Sequence, residues 1–475
     1  MKSLERLVLP ILVVVPVLML GLLPIAPRPL QLTLAWQKAV LAQTVGALPL
    51  AAEHYRQVII YQPERVDLWD RVGELEFSAG NYASAIQAYN QAIKSGTISS
   101  IGMLNLGDSF QQEGNAASAA VSWAKLAELS EVDAQLLSAA AQRLRDAGDL
   151  AGTLDIARRW HELEPKSVPA AWLTGLLLSP QSLSEAARPL AIAGNGEGIE
   201  AENARRLLEV LGQAALQPDP AYRQMLIGQR LADLGQWDVA ELAFAAAVKT
   251  APDYAEAWAF LGESRQHLDK DGWTDLLRAK SLAPESDIVL SALSLYWNRQ
   301  NKPRVALSYL HKLAANHPAE GRWQVEIGST LAQSGDLVAA MSAYQRATEI
   351  EPENAQLWRA LALFSATTGF DFTSYSQPAI ERALDLSPKD LLVLDAAGWV
   401  YLTNGDLEKA EQFLQQALAE DGDFEAAQLH LAQVYLAGNR FSLASPLLNA
   451  AAAQSNDPVV ALQAQRLLDK HFPGQ

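Results

Sequence analysis

From residue 32 to residue 457, apolar and small residues recur at intervals of three and four, the spacing of one face of an α-helix. Residues 66–96 show the pattern in full. With Val66 as position 1, large side chains fall at positions 4, 7 and 24 (Trp69, Val72 and Tyr89), and small ones at positions 8, 20 and 27 (Gly73, Ala85 and Ala92). Gly80, at position 15, stands where a left-handed residue closes a helix. The spacing predicts two helices joined by a tight turn.

The same offsets return along the chain. Copies start at residues 32, 66, 100, 134 and 168 and, after a gap, at 221, 255, 287, 321, 355, 391 and 425, about twelve units in all. The intervals in the second run are 34, 32, 34, 34, 36 and 34, which reads as a two-residue deletion after Gly262 and a two-residue insertion after Gly369. Position 8 is small in every copy and position 20 is Ala in nine, so that paired helices can approach closely. Position 15 is Gly in eight copies: Gly46, Gly80, Gly114, Gly148, Gly235, Gly335, Gly369 and Gly405. Asn or Asp often follows it, which suits a turn. Proline near position 32, as at Pro63, Pro165, Pro252 and Pro352, cannot continue the second helix and marks the unit boundary. The copy starting at Val168 keeps Gly175 and Ala187 but lacks the turn glycine.

These units divide the chain into residues 32–194, a first arm, and 221–457, a second arm. Residues 195–220 break the pattern with a glycine-rich loop and one extra helix, from about Ile199 to Leu216. Residues 458–475 read as a final helix and tail, capping the last unit with a polar outer face. At the other end, residues 1–6 are short and basic. Residues 7–27, LVLPILVVVPVLMLGLLPIAP, hold no charge in 21 positions, enough for one transmembrane helix. The rival reading is a signal peptide, removed to leave a secreted or periplasmic protein. No clean small-x-small cleavage site follows the run, which favours a single-pass anchor, and the basic start with Lys2 and Arg6 favours an orientation with the bulk of the chain outside the cytoplasm.

Composition narrows the function. The net charge of −17 argues against nucleic acid, whose phosphates require clustered Lys and Arg. The absence of Cys removes disulfides, thiolate metal sites and Cys nucleophiles. The seven His are scattered, with no pair at i, i+4 on one face. The loop GNGEG, residues 194–198, lacks both the preceding strand and the Lys-Ser/Thr of a phosphate loop. No catalytic, cofactor or metal site is expected.

The repeat resembles the tetratricopeptide repeat family, whose signature runs W-x-x-L-G-x-x-Y, then Ala, an aromatic, Ala and Pro. WDRVGELE (69–76) and WAFLGESR (258–265) match closely, with Glu76 and Arg265 where the family has Tyr. GWVYLTNGD and LAQVYLAGN carry that aromatic as Tyr401 and Tyr435. The resemblance implies an all-α, right-handed superhelical solenoid of about twelve antiparallel helix pairs. It also implies a non-catalytic scaffold that binds partner proteins or peptides on a concave face lined by positions 2, 5, 9, 12 and 13 of each first helix. Those positions supply Asp67, Asp70, Glu74 and Asp108, an acidic patch suited to a basic segment. Near the break they supply Trp172, Leu176, Tyr222 and Met225, an apolar patch suited to a hydrophobic anchor. The Lys and Asn of the family's peptide-carboxylate clamp are missing, because Asn105 is flanked by Arg71 and Ala139 in the neighbouring repeats. A role as accessory subunit of an envelope enzyme or of secretion or glycan machinery is the alternative.

Overall fold

The computed structural model describes residues 28–454 and 458–473. The apolar run at 7–27, expected to be an anchor, lies outside the described residues. Among the described residues there is no strand, and no helix is long and apolar enough to cross a membrane.

The chain divides into two units at Pro218 and Asp219. The first holds α1 (Arg28–Thr44), α2 (Leu48–Tyr61), α3 (Leu68–Ser78), α4 (Tyr82–Ser95), α5 (Ser100–Gln112), α6 (Ala116–Ala124), α7 (Ala134–Asp146), α8 (Leu150–Leu163), α9 (Val168–Leu178), α10 (Leu183–Gly194) and α11 (Ile199–Ala215). The second holds α12 (Pro220–Asp233), α13 (Trp237–Thr250), α14 (Ala255–His267), α15 (Trp273–Leu282), α16 (Asp287–Arg299), α17 (Pro303–Asn316), α18 (Arg322–Gln333) and α19 (Leu337–Ile350). It continues with α20 (Ala355–Thr368), α21 (Gln377–Leu386), α22 (Leu391–Thr403), α23 (Leu407–Glu420), α24 (Glu425–Ala437), α25 (Phe441–Gln454) and α26 (Pro458–His471). Within each unit every substantial helix contact joins helices no more than two apart, the contact pattern of a solenoid.

The turns form as their glycines dictate. All eight position-15 glycines adopt left-handed φ, between 71° and 86°. In three copies without Gly there, Asp269, Asn301 and Asn439 take the same conformation, with φ of 55°, 53° and 57°. In four copies the Asn or Asp that follows the glycine then caps the second helix, whereas Asn81 donates to Glu76 instead. Asn115, Asp149, Asp336 and Asp406 each accept a backbone N–H three residues on, at 2.9–3.1 Å.

The core is built on the small-to-large pairing of positions 8 and 24. A Cβ added to Gly73 would lie 2.5 Å from the Tyr89 ring, and one on Gly228 would lie 2.5 Å from Phe244. Both rings are fully buried. In the shortened repeat, Gly262 meets Leu276 and the Gly272 carbonyl, so the large residue stands two places early. In the lengthened repeat, a π-helical segment at Phe372–Ser376 absorbs the two extra residues, and Ile380 fills the core. The copy at Val168 differs from the sequence register by one residue. Gly175 packs against Leu190, and it is Ala186 that is fully buried, while Ala187 is only half-buried. Without a glycine the turn between α9 and α10 takes four residues in place of three, and Ser182 is extended at φ −152°.

Candidate functional site

The four carboxylates expected to form an acidic patch lie on α3, its N-cap and α5. Three of them already hold an arginine of this chain. Asp67 is exposed and accepts from Arg65 Nε and Nη2, both at 2.9 Å, and this bond holds its carboxyl below the usual range. Glu74 pairs with Arg71, one turn away on the same helix. Asp108 takes a bidentate grip from Arg143, at 2.6 and 2.9 Å, and also accepts Trp123 Nε1 at 3.0 Å. Asp70 has no arginine. It is half-buried, accepts the Ser99 N–H at 3.3 Å, and burial pushes its carboxyl upward. The group is therefore three near-neutral pairs and one half-buried carboxyl, and the surface is less acidic than the residue types imply.

The pairing creates a different feature. Between the C-terminal ends of α3, α5 and α7 lies an open hollow of about 380 Å³. Phe77, Tyr82 and Trp123 supply its aromatic walls, while Gln111, Gln112, Asp146 and the Asp108–Arg143 pair supply its polar ones. Asp108 is locked by two donors, so the free hydrogen-bonding capacity belongs to the exposed amides of Gln111 and Gln112 and to the exposed carboxylate of Asp146, of which one oxygen accepts from Gln142 at 2.7 Å.

The second expected patch does not form a surface. Trp172, Leu176 and Met225 are buried, at 6, 0 and 2% exposure, and only Tyr222 is exposed, at 41%. For the first two the cause is α11. This extra helix packs on both α9 and α10, so α9 is apolar on every side and buries eight of its eleven residues. Trp172 and Leu176 are core, and so is Met225.

The structure also shows cross-repeat bonds that the repeat pattern does not single out. Besides Asp108 to Arg143, Asn298 donates to Thr330 at 2.9 Å, Gln356 donates to Asp390 at 2.9 Å, and His430 meets Asp395 at 2.7 Å. Each links a first helix or its cap to the next first helix, at a separation of 32 to 35 residues. Complementary polar pairs one period apart are the signal that would find them. On α14 and α16, Glu263, His267 and Arg299 form a related cluster. Arg299 Nη2 lies 2.9 Å from His267 Nε2 and 3.5 Å from Glu263 Oε1. The His267 ring stacks flat on Trp237, with centroids 3.7 Å apart. Burial raises Glu263 and lowers His267. Tryptophans at position 4 have a structural use as well: Trp258 and Trp358 donate to the carbonyls of Pro252 and Pro352 in the preceding inter-repeat turn. Among the described residues no three His, Asp or Glu converge in a way that could hold a metal ion.

Two family models, both described as tetratricopeptide repeat, match this chain. One matches residues 401–466, and the other matches 37–97, 225–266, 298–355 and 376–424; together they cover more than half of the sequence. No curated protein matches. Among solved structures, the crystal structure of the yeast Tom70 is similar over 94% of this chain and 96% of its own, at 14% identity and a TM-score of 0.45. The APC/C hetero-tetramer Cut9-Hcn1 is similar over 91% and 95%, at 14% identity and a TM-score of 0.36. A tetratricopeptide repeat protein from Parabacteroides merdae is similar over 52% and 98%, at 14% identity and a TM-score of 0.41.

Proposed function

Because the chain belongs to the tetratricopeptide repeat family, we propose that it is a non-catalytic scaffold, held at a membrane by residues 7–27, which binds a partner protein or peptide on its first helices. Members of this family generally act as protein–protein interaction scaffolds. The observation that carries the reading here is the hollow between α3, α5 and α7. It is aromatic on one side and polar on the other, and the exposed Asp146 carboxylate leaves it one negative charge beyond the Asp108–Arg143 pair. Such a site suits an extended segment that inserts a polar or aromatic side chain, with at most a single basic group beside Asp146.

Lys2 and Arg6 before the apolar run place the bulk of the chain outside the cytoplasm in this reading. Any enzymatic activity associated with it belongs to a partner chain. The test is in-cell photo-crosslinking from Gln112, at the mouth of the hollow, with the exposed Val338 as the control position. One reproducible partner trapped from Gln112 and not from Val338 supports the reading and identifies the pathway. Equal labelling from both positions, or no partner from either, removes it. Mass spectrometry of the mature chain checks the anchor separately, because a signal peptide would leave residues 1–27 undetected.

A further inference from the structure

The first helix pair carries an apolar face that its own unit leaves bare. In α1, Ala35, Ala39 and Ala42 are buried in the core they share with α2 and α3. Leu30, Leu34 and Leu41 fall on a separate stripe, whose centre lies about 130° around the helix from those alanines at 3.6 residues per turn. Leu30 and Leu41 are 50 and 63% exposed; Val45, just past the helix end, is 69% exposed, and Leu50, at the start of α2, is 51% exposed. A terminal repeat normally turns a polar face outward, because no further unit covers it. This one turns leucines outward.

Two observations say what covers them. The apolar run at residues 7–27 is followed directly by α1 at Arg28, with no linker between them. If that run lies in a bilayer, α1 begins at the level of the lipid headgroups, since a single peptide step spans under about 4 Å. The second observation is charge. Residues 28–52, on the same side of the apolar run as the repeats, hold none of the chain's 54 acidic residues, while Arg28 and Lys38 lie there. An anionic surface repels the rest of this acidic protein and attracts this end of it. Lys38, exposed and between Leu34 and Leu41 in sequence, sits at the border of the leucine stripe, as basic residues do on helices that lie in a membrane interface.

We propose that the face formed by Leu30, Leu34, Leu41, Val45 and Leu50 lies in the interfacial layer of the anionic bilayer that anchors the chain. The first helix pair is then seated on the membrane, and the repeats start from a fixed platform. This inference rests on the anchoring reading above.

The chain lacks cysteine, so single labelling sites can be added without removing any. The experiment uses the full chain reconstituted in vesicles of phosphatidylethanolamine and phosphatidylglycerol, with an environment-sensitive fluorophore at Leu41→Cys, Val45→Cys or Val338→Cys. All three side chains are exposed, so labelling leaves the core intact. The expected result is a blue-shifted emission at 41 and 45 that lipid-borne nitroxides quench several-fold more strongly than emission at 338. Adding Lys38→Glu reduces that quenching. Labels at 41 and 45 that stay as water-accessible as the one at 338, on protein that floats with the vesicles, overturn the docking and leave the anchor standing. Labels shielded from aqueous iodide but not reached by lipid nitroxides also overturn it, because protein then covers the face. A full chain that does not float with the vesicles overturns the anchoring reading, and this inference with it.

Discussion

Asp269, Asn301 and Asn439 occupy left-handed backbone at the position that glycine fills in eight other repeats. For an ordinary L-residue that conformation costs roughly 1–2 kcal/mol, and Asn and Asp bear it best because the short polar side chain bonds locally. The glycine turns are legible in the sequence pattern. That the turn survives without glycine is not, because Asn and Asp also serve as ordinary loop residues. Two substitutions at this position are expected to differ in sign. Gly405→Ala destabilises the protein by about 1–2 kcal/mol, although a Cβ there meets nothing within 4 Å, so the cost is purely one of backbone. Asn439→Gly is neutral or stabilises by up to about 1 kcal/mol, the relief of backbone strain being partly offset by the greater freedom of glycine in the unfolded chain. Urea titration followed by circular dichroism measures both. Destabilisation of similar size at the two sites would contradict this origin of the cost.

Between helices, the period is readable in the sequence and most polar contacts are not. The packing of a position-8 glycine against a position-24 aromatic repeats with the sequence, so Gly73–Tyr89 and Gly228–Phe244 follow from spacing alone. The changes in repeat length are readable too, because Leu276 and Ile380 keep the core filled despite them. Asp67, Glu74 and Asp108 look like a free acidic patch in the sequence and are not one, for a physical reason. Residue type gives the charge of a helix face, but neutralisation depends on which arginine a neighbouring turn or repeat brings near, and Arg143 lies 35 residues from Asp108. Trp172 and Leu176 look like a surface because the packing of α11 on α9 leaves no mark in the repeat itself. The Glu263 cluster offers a test of these cross-repeat contacts. Burial raises the Glu263 carboxyl above its ordinary 4.5, against the pull of Arg299. The folded state therefore favours the protonated form. Stability from this group is fully present below pH 4.5 and is lost as pH rises through the folded value. Glu263→Gln keeps the neutral shape at every pH. It is expected to raise the melting temperature at pH 7 and to leave it unchanged at pH 4. A variant less stable than the parent at pH 7 would show that the Arg299 attraction outweighs burial.

For the whole chain, the contact pattern decides how much of it folds independently. Substantial contacts join only helices within two places of each other, so each helix pair is stabilised by its neighbours and not by distant parts of the sequence. The division at Pro218 and Asp219 separates two sets of helices, each with many internal contacts. The second set has its own core: Phe244, Ile227 and Leu231 near its start, and a large cluster running from Ala340 through Tyr401 to Ala444. Its last helix, α26, closes the array by packing Val460 and Ala464 against Leu429 and Leu448. These features predict that residues 219–475, expressed alone, remain helical and unfold cooperatively. Circular dichroism and tryptophan fluorescence should report coincident transitions, since Trp237, Trp258, Trp273, Trp297, Trp323, Trp358 and Trp399 are spread over six of its repeats. A fragment with little helix would mean that the stability of the second unit depends on residues before 219, and non-coincident transitions would mean that its repeats unfold in more than one step. Cooperativity confined to the fragment is what nearest-neighbour stacking requires, because a solenoid unit takes its stability from the interfaces on either side of it and α12 contributes its share through α13 and α14.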